Sequence, residues 1–386
     1  MSILLKKFTL WRGITVAIFA FGLYATYLRF FKGWQAATNL SDAQPWGIWV
    51  GLATLGGVAL SAGGFAIAAA VYLLGMERYR AVARVSVVIS FLGYLTVCAG
   101  YAYELGLPWR FWHPIFYWNF HSVLFDVAMC IMTYTTVLAL EFAPQLLERL
   151  PWAWAHKLAH LQHKFVIALV LAGTLLSSMH QSFLGGLFLI MKGHIYPLWY
   201  SQYVHTMFYL SAIPTGICVV IIAIYLCMRS MDVKFDYSIL VELAKMTVPL
   251  LAIYTAFRAV DLITNGGYHY LFRLRSETAY FWLEILLMVV LPIIGFMQPR
   301  ITNNPMYLYW TAAIEVMGAI ANRVNTSITA MEYATHANYV PKWPEMMLTI
   351  MVITAAVLVF RLCVKHLEVF PQATKRERWL SAPASA

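Results

Sequence analysis

The sequence predicts an all-α integral membrane protein of about ten transmembrane helices. Three observations point there. The 386-residue chain is 61% hydrophobic and 11% charged, with a mean hydropathy of +0.69, whereas a soluble domain carries roughly a quarter charged residues. Its apolar runs are continuous and about 20 residues long, enough for a helix to cross a bilayer; a membrane barrel would show alternating segments of about ten. The connections between runs reach only about 15 to 25 residues, too short for a soluble domain.

Bounding the runs by charges, Pro and Gly gives spans 12–31, 46–74, 84–106, 120–143, 158–180, 203–228, 240–264, 278–297, 306–324 and 345–366. Span 1 follows the basic start MSILLKK. No small-x-small cleavage site follows it, so it reads as a retained span and not a signal peptide. The Gly-rich stretches SAGGFA (61–66) and SFLGGLF (182–188) are either helix breaks or close helix contacts. Spans 3 and 7 each end at an acid with Gly nearby (YAYELG, RAVDLITNGG). Spans 4 and 8 each carry an acid about six residues from their start. That parallel points to two four-helix bundles, spans 2–5 and 6–9, flanked by spans 1 and 10 in one polytopic domain over residues 1–386.

The net charge of +10 does not signal nucleic-acid binding, because the basic residues flank apolar spans instead of forming a patch. The five cysteines all fall inside apolar spans with no C-x-x-C pair, which argues against an iron–sulfur cluster or a disulfide framework in this chain. The N-terminus, the even-numbered loops and the C-terminus hold eighteen Lys and Arg, the odd-numbered loops eight. Positive charge favours the cytoplasm, so both termini are expected there and the odd loops outside. Those odd loops are rich in Trp and Tyr (PWRFWHPIFYW, YPLWYSQY), as an interfacial belt is.

With direction set, the depth of each ionisable group follows. Glu104 ends span 3, Asp126 lies about six residues into span 4, and His180 ends span 5. Arg258 and Asp261 lie in the last turns of span 7, Glu284 about six residues into span 8, and Arg323 at the end of span 9. All fall in the outer half, and ionisable residues inside spans mark a pathway or binding site by default. Arg258 and Asp261, three apart, also read as a plain salt bridge. Glu141, in LALEFAP, is the exception at the inner end of span 4. With Thr133 between them, Asp126 and Glu141 share a stripe that would suit a proton route, although Glu141 also reads as an ordinary interface residue. No metal-ligating set is visible.

Three classes fit such a site. A haem cytochrome needs facing His or Met ligands, and His180 with His205 makes a bis-His site geometrically possible. A secondary transporter would break its helices near the midplane. A quinone-reactive subunit needs an apolar slot and a few polar groups for two carbonyls and two protons, which the outer cluster with its aromatics supplies.

Four stretches then carry a resemblance: residues 41–75 (SDAQPWGIWV onward), NFHSVLFDVAMC…ALEFAPQLLERL (119–150), MHQSFLGGL…YPLW (179–199) and FWLEILL (281–287). Together they resemble the NrfD/polysulfide-reductase membrane-subunit family, nearest its hydrogenase-2 type, HybB-like branch, from about residue 40 to 365. The resemblance implies a ten-span, usually haem-free quinone-binding anchor in a bacterial or archaeal cytoplasmic membrane. It implies a partner outside, a four-cluster ferredoxin-like iron–sulfur protein. Behind that stands a catalytic subunit such as a nickel–iron hydrogenase or molybdopterin oxidoreductase, or a multihaem cytochrome. By the same likeness Asp126 stands where the hydrogenase branch tends to carry Glu, and Glu104 where Asp is common. His180 falls on MHQS, Glu141 on ALEFAP and Glu284 on W-x-E. The expected function is electron transfer between that iron–sulfur protein and menaquinone or ubiquinone, possible proton translocation included. The quinone candidates are Trp46, Trp49, Tyr101 and His180. The proton-relay candidates are Asp126, Glu104, Glu141, Glu284, Arg258 and Asp261. A haem-binding cytochrome b subunit and, behind it, a secondary transporter are the alternatives.

Overall fold

The computed structural model describes residues 10–231, 233–336 and 339–370. Lys6, Lys7, Lys375, Arg376 and Arg378, which contribute to the charge count for orientation, lie outside the described residues. Among the described residues, nine helices are long and apolar enough to cross a membrane. They are span 1 (Leu10–Lys32), 2 (Trp49–Tyr72), 3 (Glu77–Glu104), 4 (Val123–Leu147), 5 (Val166–Leu189), 6 (Val204–Ser230), 7 (Tyr237–Thr264), 8 (Ser276–Met297) and 10 (Trp343–His366). Span 9 is also a helix, Pro305–Val324. It fails on composition because it carries Glu315, Asn322 and Arg323, all buried against neighbouring helices.

Helix neighbours confirm the two-bundle arrangement. Spans 2, 3, 4 and 5 pack in a ring, as do spans 6, 7, 8 and 9, while spans 1 and 10 pack on each other and on span 3. Span 6 joins the rings, lying against spans 2 and 5. The closest approach pairs two glycines: a Cβ on Gly216 would stand 2.0 Å from Gly63 N. SAGGFA is thus both a break and a contact, since the helix is interrupted between Leu60 and Gly63 and Gly63 meets span 6 there. SFLGGLF is unbroken helix inside span 5, with Gly185 against the backbone of His205.

Two boundaries move residues of interest. The expected span over 158–180 is two elements: an amphipathic helix Ala153–Lys164, then span 5 from Val166. Its polar sequence AWAHKLAHLQHK suits an interface and not a bilayer core. Span 5 therefore ends at Leu189, so His180 lies nine residues inside it instead of at its end. Span 4 begins at Val123, capped by Ser122, so Asp126 falls in its first turn. There the positive end of the helix dipole favours a carboxylate, which lowers the cost that made Asp126 conspicuous.

Among the described residues wide i→i+5 turns occur at four places, Leu28–Lys32, Trp49–Gly56, Leu286–Val290 and Asn325–Thr329. Such turns free backbone groups and recur at functional sites. Here two of them directly follow Glu284 and Arg323.

Candidate functional site

In the first bundle, Tyr94, Cys98 and Tyr101 form one stripe of span 3, since steps of four and three residues return to the same face. Tyr94 is fully buried, with its hydroxyl 2.8 Å from His180 Nδ1 and its ring edge-on to Tyr134 at 4.5 Å. His180 is fully buried too, and its Nε2 has no hydrogen-bond partner among the described residues. The same is true of the Tyr134 hydroxyl and of both amide atoms of Gln181. Buried polar atoms left unpaired are costly. This region is therefore suited to a polar group from outside the chain, and a quinone oxygen has the right acceptor chemistry for a ring N–H and a hydroxyl.

The end of span 3 carries Glu104, half-buried, which accepts a hydrogen bond from Thr54 Oγ1 at 3.2 Å. Arg29 of span 1 caps that helix end, donating at 2.7 Å to the carbonyls of both Tyr103 and Leu105. Trp46 stands edge-on to Phe188 at 5.3 Å and shares an apolar cluster with Tyr94 and Tyr101. Trp49 does not join them. Its indole N–H donates to the Glu345 carbonyl at 3.1 Å, and its ring packs with Ala25, Leu348 and Met351 of spans 1 and 10. Three of the four quinone candidates thus share one apolar region, and Trp49 faces away from it.

Glu141 is more than an interface residue. It faces Gly173 of span 5, where an added Cβ would stand 3.2 Å from its carboxyl. It also lines a cavity of about 70 Å³ with Gln145, Gln162, Arg84 and His163. That volume suffices for a few waters. A bay of about 1100 Å³ shares Arg84 and His163 with it and is bordered by Gly75, Arg80 and Phe370 at the even-loop face. Between them Glu148 pairs with Arg84 at 3.1 Å and His163 at 3.0 Å. The stripe expected from Asp126 through Thr133 to Glu141 is corrected. Thr133 is exposed and bonds its own helix at Met129 O, 2.8 Å away, and the buried face of span 4 runs through Cys130, Tyr134 and Leu138. Asp126 is half-buried, and its carboxylate has no hydrogen bond or ion pair to a described residue.

The second bundle holds a separate group. Arg258 and Asp261 are buried 3.7 Å apart, the salt bridge their spacing suggests. Asp261 also accepts from Ser201 and Asn265 at 2.5 Å each. Glu284, fully buried, accepts from Trp199 Nε1 at 2.9 Å, Asn322 at 2.7 Å and Asn325 at 3.0 Å. Arg323 donates to Asn322 at 2.6 Å and to Ser211 and the Phe208 carbonyl at 2.9 Å each. The sequence reading missed Tyr94, Tyr134 and Glu315. Tyr94 and Tyr101, seven apart, were a legible stripe, and Glu315 was legible as a lone acid in the middle of span 9. His205, the other histidine of the bis-His reading, lies with its backbone against Gly185, and its Nδ1 is buried with no hydrogen-bond partner among the described residues.

A family model described as "Polysulphide reductase, NrfD" matches residues 36–330. A Nitratidesulfovibrio vulgaris protein is 34% identical over 370 residues, covering 92% of this chain and 93% of its own. The Escherichia coli "probable Ni/Fe-hydrogenase 2 b-type cytochrome subunit" is 29% identical over 346 residues, 88% of this chain and 87% of its own. The N. vulgaris "menaquinone reductase, integral membrane subunit" is 27% identical over 403 aligned residues, 97% of this chain and 94% of its own.

Proposed function

The chain belongs to the NrfD family, and from that premise we propose that it is the quinone-interacting membrane subunit of a respiratory oxidoreductase complex. The observation that carries this is the buried His180, fixed at Nδ1 by Tyr94 and unpartnered at Nε2, in a chain similar along nearly its whole length to a menaquinone reductase membrane subunit. A quinone bound there exchanges two electrons and two protons. Its species is menaquinone or ubiquinone, the first favoured by that relative's name.

The protein's part is to orient and to hold protons. A hydrogen bond from the Tyr94 hydroxyl to Nδ1 leaves the ring proton on Nε2, where it can donate to a carbonyl oxygen. Tyr101 and Trp46 supply the apolar wall. Glu104 stands at the odd-loop mouth as a proton acceptor, and Asp126 lies in the first turn of span 4 beside that same face. Glu141 holds the other end, next to the water-sized cavity and the bay. Arg258, Asp261 and Glu284 buttress the site from the second bundle through Trp199, which packs in the same apolar cluster as Tyr94.

Electrons reach the odd-loop face from a four-cluster ferredoxin-like iron–sulfur protein, itself linked to a hydrogenase, a molybdopterin oxidoreductase or a multihaem cytochrome. The Lys and Arg count supports placing that face outside a cytoplasmic membrane, with both termini in the cytoplasm. The name of the E. coli relative favours a second reading, in which His180 Nε2 is an axial haem ligand. One measurement separates them: a reduced-minus-oxidised visible spectrum of the purified complex, with copurifying subunits and quinone identified. Extractable quinone and an iron–sulfur partner without a b-type band from this chain support the proposal. A b-type band stoichiometric with this chain, lost on His180→Ala, overturns the quinone-only site.

A further inference from the structure

The interior of spans 6–9 contains an odd number of charges. Among the described residues it buries five ionisable side chains that reach at most 5% exposure: Arg258, Asp261, Glu284, Glu315 and Arg323. Two guanidiniums stay charged under all ordinary conditions. Three carboxylates against them leave one negative charge in excess, and a buried charge without a partner is strongly disfavoured. One carboxyl of the three must then hold a proton.

The hydrogen bonds single out which. Asp261 has Arg258 and two donors. Glu284 has three N–H donors. Glu315, fully buried, has no N–H donor: it meets the Thr215 hydroxyl at 2.8 Å on Oε1 and the Cys218 thiol, and its Oε2 has no hydrogen-bond partner among the described residues. The nearby titratable groups are Cys218 of span 6 and, around Arg323, Tyr254 of span 7 and Glu284 of span 8.

We propose that Glu315 is a proton-exchanging site of the second bundle, separate from the quinone site. Thr215 Oγ1 also lies 2.9 Å from the Ser211 backbone carbonyl, while Ser211 Oγ separately accepts from Arg323, which donates to Asn322. Asn322 and Arg258 both line a cavity of about 10 Å³, room for roughly one water; Arg258 pairs with Asp261, which accepts from Ser201. Loss of the proton leaves a carboxylate that draws on Arg323, whose Nε is free. Any movement of Arg323 loosens its bond to Asn322 and so the hold on Glu284 and Trp199. Thr215 also precedes Gly216, the contact with span 2. The protonation state of Glu315 is thereby read at both the odd-loop face and the bundle junction.

The test is infrared spectroscopy of the purified complex, which does not depend on quinone turnover. Wild type minus Glu315→Gln should show one protonated-carboxyl C=O band, and in heavy water that band should shift. A band that persists in Glu315→Gln but disappears in Glu284→Gln places the proton elsewhere and overturns the assignment. A Glu315 band that never shifts in heavy water overturns exchange. Should Glu315→Gln not assemble, Thr215→Val keeps the carboxyl and removes its donor: the band must then move in frequency, and an unmoved band refutes the assignment.

Discussion

Gly216→Ala tests whether the two bundles are held at the distance the structure gives. A Cβ there would stand 2.0 Å from Gly63 N and 2.6 Å from both Gly63 Cα and the Ala62 carbonyl carbon. All three are backbone atoms, so no side-chain rotation relieves the overlap. Restoring ordinary contact at about 3.5 Å requires spans 2 and 6 to part by roughly 1.5 Å. Overpacking costs about 1–3 kcal/mol, and parting two helices also strips contacts from their other neighbours. The upper figure is expected, and about 3 kcal/mol is roughly a hundredfold in the folded fraction. The assay is the apparent melting temperature of the purified complex in detergent, with Gly186→Ala as control. At 186 the nearest atom to an added Cβ is Val123 Cγ1 at 3.7 Å, an ordinary contact. A Gly216→Ala protein that melts with the wild type, while Gly186→Ala does too, would refute the close crossing.

Three other substitutions probe the site and its supports. Tyr94→Phe removes the hydroxyl that meets His180; losing about 1 to 1.5 kcal/mol of orientation should cut quinone turnover about tenfold while the complex still assembles. Glu141→Gln should suppress charge movement across proteoliposomes far more than Asp126→Asn, because Glu141 lines the cavity beside the even-loop bay; equal losses would show that cavity lining is irrelevant. Tyr339→Phe removes a hydroxyl that donates to buried Glu345 at 2.5 Å and accepts from Ile48 N at 3.0 Å, at an expected cost of about 2–3 kcal/mol read as a melting shift. Burial, and then the bond to Glu345, raise the Tyr339 pKa above the ordinary tyrosine range. The folded state thus keeps a proton that the unfolded state loses above about pH 10. Its stabilisation is complete below that pH and declines as pH rises, so wild type and Tyr339→Phe should converge in alkaline buffer.

The spans were legible because a bilayer imposes one length and one composition on every helix it surrounds. Where those constraints lapse, the sequence misleads in predictable directions. Span 9 turns Glu315, Asn322 and Arg323 into the protein, so their polarity is tolerated. The helix Ala153–Lys164 lies where an amphipathic stretch can be mistaken for the start of a span, and that shifted the apparent position of His180 by nine residues from the helix end. The acids were legible as costly residues, but cost alone does not show what surrounds them. Asp126 was conspicuous and proves to sit in a first turn, half-buried. Glu315 attracted no notice and proves fully buried with one oxygen unpaired.

That contrast bears on how the two bundles differ. In the first, the unpaired polar atoms of His180, Gln181 and Tyr134 are neutral groups, which can wait for a ligand at modest cost. In the second, every buried polar group but a few is spent on holding charges, and the imbalance is a whole unit of charge. A neutral vacancy of hydrogen bonds suits a quinone that comes and goes. An unmatched carboxyl suits a proton that stays until something moves. The bundles touch where span 2 breaks and Gly216 meets Gly63, which is why a change in either is mechanically placed to be felt by the other.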